Sequence, residues 1–562
     1  MDEVNSSGLP DRLRHALDSI AQLTRMCGSP STSVGVLHQG RVVLAESVGQ
    51  RDASPLNAAS QDSVYLLGSL SKAFVAAAIG ILVDEGKMEW TDLVSKHVPD
   101  FHPIGDPRIT AEADFIDLLR HSSGLVNPVV QVLGPHGIII SREDKFMDMV
   151  NQAPTSDDDG QCFNRVWEYS NISYGIAAVA VEHVSGIRFA DFLKTRILVP
   201  LGMAQTAVTE EDVNSCGTLA DGYALLDDGT FVQVPVEWTS ETHTSVLAPY
   251  GIRSSVHDVL IWCAAWLSAE EHGMTRERPE ALRSVLSNPL RQVPRILKPA
   301  WMRPFEDPYQ NESAYCIAWL RAVMPTAALN WGAVNNRTVH DKDRTYLQYI
   351  LGTQSPNRVV YKHTGIAYNT VSALFLFPET QSAVIALSNG RRNGDASDFA
   401  AQLLIQELFD LQPRVDVLSR ATLETQRGQD FRHRTVMRDW LENRDVSGPE
   451  REAKDFVGDY EAWATELHVR QDDSTKKLTL HFNDRSDMVV SLEYYRNDAY
   501  SFLPTTADQH FSGGFMDYDF YMVGILEFKR NDEGIVNGLF WMWEEESPAT
   551  WYERKAVPSS GI

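Results

Sequence analysis

The stretch "LGSLSKAFVAAAIGILVDEG", residues 67–86, places a serine and a lysine three positions apart at the start of a long apolar run. If the run is a helix, Ser69 lies beside the free backbone N–H groups of its first turn, and Lys72 lies on the same face within reach of the hydroxyl. The apolar residues that follow would bury the helix, and burial favours a neutral amine that can take a proton from serine. In the alternative interpretation, Ser69 only caps the helix and Lys72 is solvated.

The bulk composition excludes several classes of partner. A chain of 562 residues exceeds what one hydrophobic core usually serves, so we expect one large and one small domain. Its formal net charge of −26 repels phosphate backbones and anionic membrane surfaces, and the basic pairs Arg391-Arg392 and Lys476-Lys477 stand alone. We therefore expect neither a nucleic acid nor a membrane as partner, and the sequence leaves the oligomeric state open.

Cysteine usage and the missing motifs bear on compartment and cofactors. The five cysteines form no Cys-x-x-Cys pair, which fits neither a zinc module nor a disulfide framework and favours a reducing compartment. The beginning "MDEVNSSGLPDRLRHAL" lacks the apolar core of a secretion signal, and the longest apolar run, 73–83, is shorter than the ~20 residues that span a bilayer. No His-Glu-x-x-His, Gly-x-Gly-x-x-Gly or Walker motif occurs. The sequence thus predicts a soluble cytoplasmic protein that uses no metal or other cofactor.

Hairpin patterns stand at both ends of the large region. "SVGVLHQGRVVLAESVG" alternates around Gln39-Gly40, and "TVSALFLFPETQSAVIALSNG" turns at residues 378–380 before the helical pattern "SDFAAQLLIQELFDL". Mostly helical material lies between them, so we predict an α/β (α+β) fold in which an antiparallel sheet, flanked by terminal helices, carries an inserted helical lobe. The candidate helices of the lobe are 112–121, 173–185, 189–197 and 256–268.

The rest of the chain suggests two further parts. Residues 269–360 show few periodic segments, which is typical of lids or binding loops, or of surface decoration. Beyond residue 450, short alternating segments such as "LTLHF" and "GILEFKR" follow one another without helices, which indicates a small all-β barrel or sandwich. We divide the chain into a catalytic domain (1–414), a partly helical linker (415–450) and a C-terminal β domain (451–562).

A second chemical motif follows a hundred positions after Ser69. Tyr169 and Asn171 form a Tyr-x-Asn pair just ahead of the apolar helical pattern "ISYGIAAVAVEHVSG". A phenol beside a lysine ammonium has a lowered pKa and can act as general base and acid. A tyrosine that only packs is the alternative.

The third motif is "VVYKHTGIAYNTVSALFLF", in which His363, Thr364 and Gly365 lead into a hairpin strand. A glycine there would let a substrate approach the strand closely, and the N–H of Ile366 could donate to an oxyanion. A strand start with a surface histidine is the alternative.

In this order and setting, the three motifs resemble those of the serine β-lactamase and penicillin-binding-protein superfamily. The closest likeness is to the branch with class C β-lactamases, family VIII esterases, D-aminopeptidases and lovastatin-acyltransferase-like proteins. The resemblance covers about residues 10–411, and "DFVGDYE" onward resembles the lipocalin-like domain that often trails these enzymes. Further similar segments are "DFIDLLRHSSGL", "YGIAAVAVEHVSGIRFADFLKTRILVPLGMAQT", "APYGIRSSVHDVLIW" and "AYCIAWL".

The resemblance implies a role for each matching residue. Ser69 would be the nucleophile that accepts an acyl group, while Lys72 and Tyr169 would share the proton transfers, with the resting base left open. Asn171 would orient substrate and Lys72, and the N–H groups of Ser69 and Ile366 would form the oxyanion hole. The acyl-enzyme would then pass to water, an alcohol or an amine.

The third motif departs from the family's usual Lys-Thr-Gly, because His363 stands at the lysine position and Lys362 is shifted to the other side of the strand. A neutral histidine holds a substrate carboxylate less well than an ammonium does. We therefore expect an intracellular esterase, amidase or transacylase that acts on a small-molecule acyl substrate. Secondary metabolism is the setting we expect for it. A silent binding or scaffold protein on the same fold, or a β-lactamase or D-amino-acid peptidase, are the alternatives.

Two segments suggest how an acyl group is held. The apolar stretch "GLVNPVVQVLGPHGIII", residues 124–140, either lines an acyl pocket or packs against the helical lobe. A cover over that pocket could come from Trp301, Pro304, Phe305 and Tyr309.

Overall fold

The structure is a computed structural model of the whole chain. It describes all residues except 1–7, 53–55, 136, 138, 156–161, 235–243, 272–287, 304–311, 331–333, 337–343, 368, 432–435, 449–450, 484, 486–487, 516–519, 545–547 and 557–562.

An antiparallel sheet forms the centre of the first part of the chain. Its strand order is β2-β1-β12-β11-β10-β9-β8-β7, and two short strand pairs, β3-β6 and β4-β5, lie outside it. The strands are β1 (Ser31–His38), β2 (Arg41–Gly49), β3 (Val64–Leu66), β4 (Tyr223–Leu225), β5 (Phe231–Gln233), β6 (Arg253–Ser255), β7 (Trp301–Met302), β8 (Ser313–Tyr315), β9 (Leu320–Met324), β10 (Arg358–Ala367), β11 (Thr370–Phe377) and β12 (Ser382–Ser388).

Helices cover both faces of this sheet and form the inserted lobe, and the last helix before the barrel packs against the barrel. They are α1 (Leu9–Met26), α2 (Lys72–Asp84), α3 (Val94–His97), α4 (Pro107–Glu112), α5 (Phe115–Leu119), α6 (Val129–Leu133), α7 (Phe146–Gln152), α8 (Asn171–Ser185), α9 (Phe189–Leu193), α10 (Val199–Leu201), α11 (Glu210–Ser215), α12 (Thr244–Leu247), α13 (Val256–Glu271), α14 (Val293–Ile296), α15 (Ala396–Phe409), α16 (Val417–Phe431) and α17 (Arg438–Glu442). Alternate residues of β12 point to opposite faces, so Val384 joins the core under α1 and α15, whereas Ile385 joins the core of the helical lobe.

The helix that begins at Lys72 is buried because it is apolar on every side. Its residues from Lys72 to Leu82 are all buried, and the ring of Phe74 stacks on Trp262 of α13 with 4.0 Å between the ring centroids. α2 therefore lies inside the lobe, and its first residue, Lys72, is carried into the interior with it.

The sheet with its inserted lobe confirms the predicted fold class, and both hairpins turn where the sequence indicates. The expected helix 112–121 is wrong in its bounds, because Asp114 accepts from the N–H of Asp117 and starts a new helix, α5, after an extended Ala113. The strands β7 to β9 were not expected in 269–360, since each has at most five residues and little alternation.

The C-terminal part is a closed barrel of β13 (Gly458–Ala462), β14 (Thr465–Gln471), β15 (Leu478–Phe482), β16 (Val489–Arg496), β17 (Ala499–Ser501), β18 (Ile525–Arg530), β19 (Val536–Trp541) and β20 (Thr550–Arg554). Aromatic side chains such as Tyr460, Phe482 and Trp541 are fully buried in it, so the centre of the barrel is packed. The expectation of strands without helices is wrong at α18 (Ala507–Ser512), which Thr506 and Gln509 begin with a capping box.

Among the described residues, the C-terminal part contacts the first part of the chain in two regions, one around α6 and one around α18. At one, the Gln131 side chain of α6 donates to the Tyr552 hydroxyl at 2.6 Å, and Asn483 donates to the carbonyl of Ile140. At the other, Asn369 in the β10–β11 turn donates to the carbonyl of Phe511 in α18 at 3.1 Å. Both places adjoin the motif residues described below.

The domain boundaries at 414 and 450 stay predictions. Among the described residues, no helix combines the length and apolar character needed to cross a membrane.

The stacked pair of Phe74 and Trp262 gives a first testable prediction. Replacing Trp262, which is 1% exposed, by alanine removes the ring against α2 and should lower the free energy of unfolding by about 3–5 kcal/mol. Leu56→Ala, at a side chain that is 90% exposed, is the control and should change it by less than about 0.5 kcal/mol. Denaturant titration measures both; equal midpoints for the two variants would contradict the packing described here.

Candidate active site

Ser69 and Lys72 are held together by a tight turn that runs into a helix. Residues Gly68–Ser71 form a 3₁₀ turn, α2 begins at Lys72, and Nζ of Lys72 lies 2.9 Å from Oγ of Ser69. Neither helical segment has a side-chain cap, so the Ser69 hydroxyl is not used for capping. Ser69 is half-buried and reachable from outside, while Lys72 is completely buried.

Tyr169 completes the cluster from another part of the chain. It precedes α8, and its hydroxyl donates to Oγ of Ser69 at 3.0 Å. Burial raises the pKa of Tyr169 above its ordinary value of 10.0, and the hydrogen bond to Ser69 offsets only part of this rise. The expected lowering of this pKa by a neighbouring ammonium is therefore wrong, because desolvation of the phenol outweighs it.

The surroundings of Lys72 fix the directions of its hydrogen bonds. Besides Ser69, Nζ contacts Oδ1 of Asn171 at 2.6 Å and the carbonyl oxygen of Pro249 at 3.2 Å. Burial lowers the pKa of Lys72 well below its ordinary value of 10.5, and among the described residues no carboxylate forms an ion pair with it. A neutral amine donates twice and has one lone pair. Since both carbonyl oxygens only accept, the lone pair of the neutral amine faces Ser69.

Asn127 holds this arrangement in place, and it was missed in the sequence. Its Oδ1 accepts from the backbone N–H of Asn171 at 3.0 Å and from the Asn171 side-chain amide at 3.1 Å. The amide of Asn171 is thereby oriented with its oxygen towards Lys72. The available signal was the pair Asn127-Pro128 two positions after "HSSGL", inside a segment that the sequence analysis considered only for its apolar residues.

The strand β10 approaches the Ser69 turn very closely. A Cβ added at Gly68, where φ is +58°, would lie 2.7 Å from the backbone nitrogen of Ile366, and one added at Gly365 would lie 2.0 Å from the carbonyl oxygen of Leu67. Both glycines are therefore required by backbone contact. At Gly365 this contact is made by the protein itself, in place of the substrate that the sequence analysis expected. The backbone nitrogens of Ser69 and Ile366 lie along this junction, and Ile366 is exposed.

His363 and Lys362 point to opposite sides of β10. His363 is 7% exposed and lies beside the cluster, with its ring 6.4 Å from that of Tyr169. Lys362 donates to the carbonyl of Leu329 and lies over the ring of Phe375 on the other face, as expected from the alternation of strand residues. His363 is thus the side chain of this motif that faces the cluster, and the amine of Lys362 lies on the other side of the strand.

Within the segment 124–140, Leu125, Val132 and Ile139 pack into the core of the helical lobe, as in the alternative given for this segment. Val126, Val130 and Ile140 pack into the core of the barrel. Val129 and Val132 line a small, largely apolar cavity beside Asn171, together with Asn127, Pro128, Leu133, Phe146, Ile172, Ser245, Val246, Pro249 and Tyr250. Of the expected cover, Trp301 is half-buried in β7, and Pro304, Phe305 and Tyr309 lie outside the described residues.

The described part of the chain contains no group of three or more histidine, cysteine, aspartate or glutamate side chains that could hold a metal ion. In the cluster of Ser69, Lys72 and Tyr169, the amine nitrogen of Lys72 and the phenol oxygen of Tyr169 each lie within 3.0 Å of Oγ of Ser69.

An antiparallel sheet with an inserted helical lobe, and a Ser-x-x-Lys helix facing a Tyr-x-Asn segment, define the class of β-lactamase-like and penicillin-binding proteins. The Beta-lactamase family matches residues 18–407, and the chain belongs to that family. Members of this superfamily are serine hydrolases and acyltransferases. The resemblance read from the motifs is thereby confirmed.

Individual relatives match over shorter stretches. Penicillin-binding protein 4* of Bacillus subtilis is 31% identical over 172 residues, which are 30% of this chain and 36% of the relative. An unguisins hydrolase of Aspergillus campestris is 25% identical over 288 residues, 48% of either chain. The chain thus spans less than half the length of these relatives. The solved structure of an octameric penicillin-binding protein homologue from Pyrococcus abyssi matches 96% of this chain and 99% of its own, with a TM-score of 0.53 and 18% identity, which shows the fold.

The contacts of Asn127 lead to a prediction about the cluster. Asn127→Ala frees the amide of Asn171 and should slow the reaction of Ser69 with a fluorophosphonate by roughly ten- to a hundredfold, because the Lys72 lone pair is no longer aimed at the hydroxyl. Asn151→Ala is the matched control, since the side-chain oxygen of Asn151 also accepts from a backbone N–H, that of His102, but lies outside the cluster. Labelling rates by intact-mass spectrometry decide; equal slowing in both variants would contradict a specific role of Asn127.

Proposed function

We propose that the protein is a serine-dependent hydrolase or acyltransferase that forms a covalent acyl-enzyme on Ser69 from an ester, thioester or amide of a small molecule. The observation that carries the proposal is the set of partners around Lys72. Two carbonyl acceptors take its N–H bonds, at Asn171 and Pro249, and its remaining direction faces the Ser69 hydroxyl. This is the arrangement of a nucleophile beside its base.

In the acylation step, Oγ of Ser69 attacks the carbonyl carbon of the substrate while its proton passes to the neutral amine of Lys72. The oxyanion develops beside the backbone N–H groups of Ser69 and Ile366, at the junction of the turn with β10. Tyr169 remains a neutral phenol because burial raises its pKa, and it donates to Oγ. When the tetrahedral intermediate collapses, the leaving group takes up the proton that Lys72 received from Ser69, and the amine of Lys72 is neutral again.

In the second step, water or another alcohol or amine attacks the acyl-enzyme, and its proton passes to Lys72 while Oγ regains one. The name of the relative from Aspergillus campestris, a hydrolase, supports water as acceptor. We further propose a role in secondary metabolism and a cytoplasmic location; none of the five cysteines is in a disulfide, which supports a reducing compartment.

The nucleophile is tested by covalent labelling. A fluorophosphonate should add one phosphonyl group to the wild-type protein with loss of fluoride, and none to Ser69→Ala, because Oγ of Ser69 is the oxygen beside an unprotonated base. Intact-mass spectrometry reads the number of labels. Labelling that persists in Ser69→Ala would overturn the assignment. Absence of labelling and of turnover on ester and amide panels, with a ligand that raises the melting temperature, would favour the binding-protein alternative.

The pH dependence tests which group is the base. Lys72 must be neutral to act, so kcat/KM should fall as the pH drops through the pKa of Lys72, which lies well below 10.5. Lys72→Met should remove turnover. Lys362→Met is the control, since the pKa of Lys362 is also lowered by burial, to about 8, but its amine faces the other side of β10. Lys72 would be contradicted as the base if the fall of kcat/KM at low pH disappeared in Lys362→Met. A fall with its midpoint near the ordinary pKa of lysine would contradict it as well.

A further inference from the structure

Three buried side chains form a hydrogen-bonded chain along the inner wall of the site. His121 follows α5, Tyr315 ends β8, and His363 lies in β10; the first two have no exposed surface, and His363 is 7% exposed. The His121 ring lies 4.4 Å from that of Tyr169. Two of these residues belong to "DFIDLLRHSSGL" and "AYCIAWL", segments to which the proposed reaction gives no task.

The first imidazole has its proton placed by the backbone. Nδ1 of His121 lies 3.0 Å from the backbone N–H of Ser170, which can only donate. Nδ1 is therefore the acceptor, and the proton of neutral His121 is on Nε2. That N–H faces the hydroxyl of Tyr315 at 3.2 Å and donates to it.

The second imidazole has the opposite proton position. Nδ1 of His363 lies 2.7 Å from the carbonyl oxygen of Thr364, which can only accept, so Nδ1 carries the proton. Nε2 of His363 then accepts from the Tyr315 hydroxyl at 3.3 Å. The neighbouring Tyr174 donates its own proton to the carbonyl of Leu119 at 2.6 Å, so it does not compete with His121 as a donor to Tyr315.

The charged and titratable groups around His363 oppose its protonation. Burial is the main cause that lowers the pKa of His363, and the amine of Lys362, which lies on the other side of the strand, lowers it further when charged. Burial likewise lowers the pKa of His121, and it raises the pKa of Tyr315. Burial also raises the pKa of the neighbouring Tyr169 and Tyr174, so both are neutral phenols. These side chains, which lie along the described wall of the site beside Ser69, are therefore uncharged at neutral pH.

We propose that His121 and Tyr315 are positioning residues that keep His363 a neutral imidazole with its N–H turned to the carbonyl of Thr364, so that the site selects acyl groups without a carboxylate. This selectivity rests on the proposed acyl-enzyme function and names its class of acyl donor. A carboxylate placed against this wall would lose its hydration without gaining a cationic partner. An uncharged acyl chain has no such cost.

Two chromogenic esters of equal chain length test the selectivity: 4-nitrophenyl butyrate, whose acyl chain is uncharged, and 4-nitrophenyl succinate, whose chain ends in a carboxylate. The wild-type protein should prefer the butyrate by at least about tenfold in kcat/KM, since the unpaired carboxylate finds no partner in the site. Tyr315→Phe keeps the ring but leaves Nε2 of His363 without its donor. That imidazole then takes up a proton more readily, so the preference should shrink as the pH is lowered.

Controls and a second readout separate positioning from a loss of packing. Tyr460→Phe removes another buried hydroxyl, one that donates to Phe456 in the barrel, and should leave the preference unchanged. His121→Asn suits the positive φ of +65° and keeps an acceptor for Ser170, but it no longer reaches Tyr315; it should shift the preference in the same direction as Tyr315→Phe. Nitrogen NMR of ¹⁵N-histidine-labelled protein, with His363 assigned by His363→Gln, should show its proton on Nδ1 at neutral pH.

The outcomes distinguish this inference from the proposed function. Similar kcat/KM values for the two esters in the wild-type protein, an unchanged preference in Tyr315→Phe, or a charged His363 at neutral pH would each overturn the inference while leaving the acyl-enzyme in place. If neither ester is hydrolysed and no phosphonyl label forms on Ser69, the proposed function fails. The NMR measurement needs no turnover and still decides the state of His363.

Discussion

The buried amine of Lys72, which has no counter-charge among the described residues, is the constraint on which the site depends. A charged ammonium in such a place is costly unless a carboxylate accompanies it, and here two neutral carbonyl oxygens take that position. The three contacts of Nζ come from segments far apart in the chain: the turn at Ser69, the start of α8 at Asn171, and Pro249 before β6. The lobe must therefore pack correctly as a whole before the amine is neutral and correctly aimed.

The C-terminal barrel contributes to this packing from outside. Its centre is filled by aromatic side chains, and its contacts with the first part of the chain fall next to the site. One contact joins Tyr552 to Gln131, four residues after Asn127, which orients Asn171. The other joins α18 to Asn369, three residues after Ile366. Both walls of the cluster, the segment after "HSSGL" and the β10–β11 hairpin, are thereby anchored to the barrel.

The sequence predicts those parts of the structure that depend on local patterns. Hairpin turns, the apolar helix α2 and the Ser69–Lys72 spacing are set by neighbours along the chain. The strands β7 to β9 were not predicted, because short strands at the edge of a sheet gain most of their stability from pairing, which the composition does not reveal. Asn127 was not predicted as a site residue, because its role depends on its hydrogen bond with Asn171, which lies 44 positions away in the chain. The lowered pKa expected for Tyr169 failed for a related reason: burial of the phenol is a property of the folded chain.

The titration of Lys72 itself is the most direct test of this account. In protein carrying ¹³Cε-labelled lysine, the signal of Lys72 is identified by its loss in Lys72→Met and followed with pH by NMR. The account predicts a midpoint well below 10.5, because burial without a carboxylate favours the neutral amine. A midpoint at or above 10.5 would mean that Lys72 is an ammonium in the resting protein and donates to Ser69, and it would contradict the central claim.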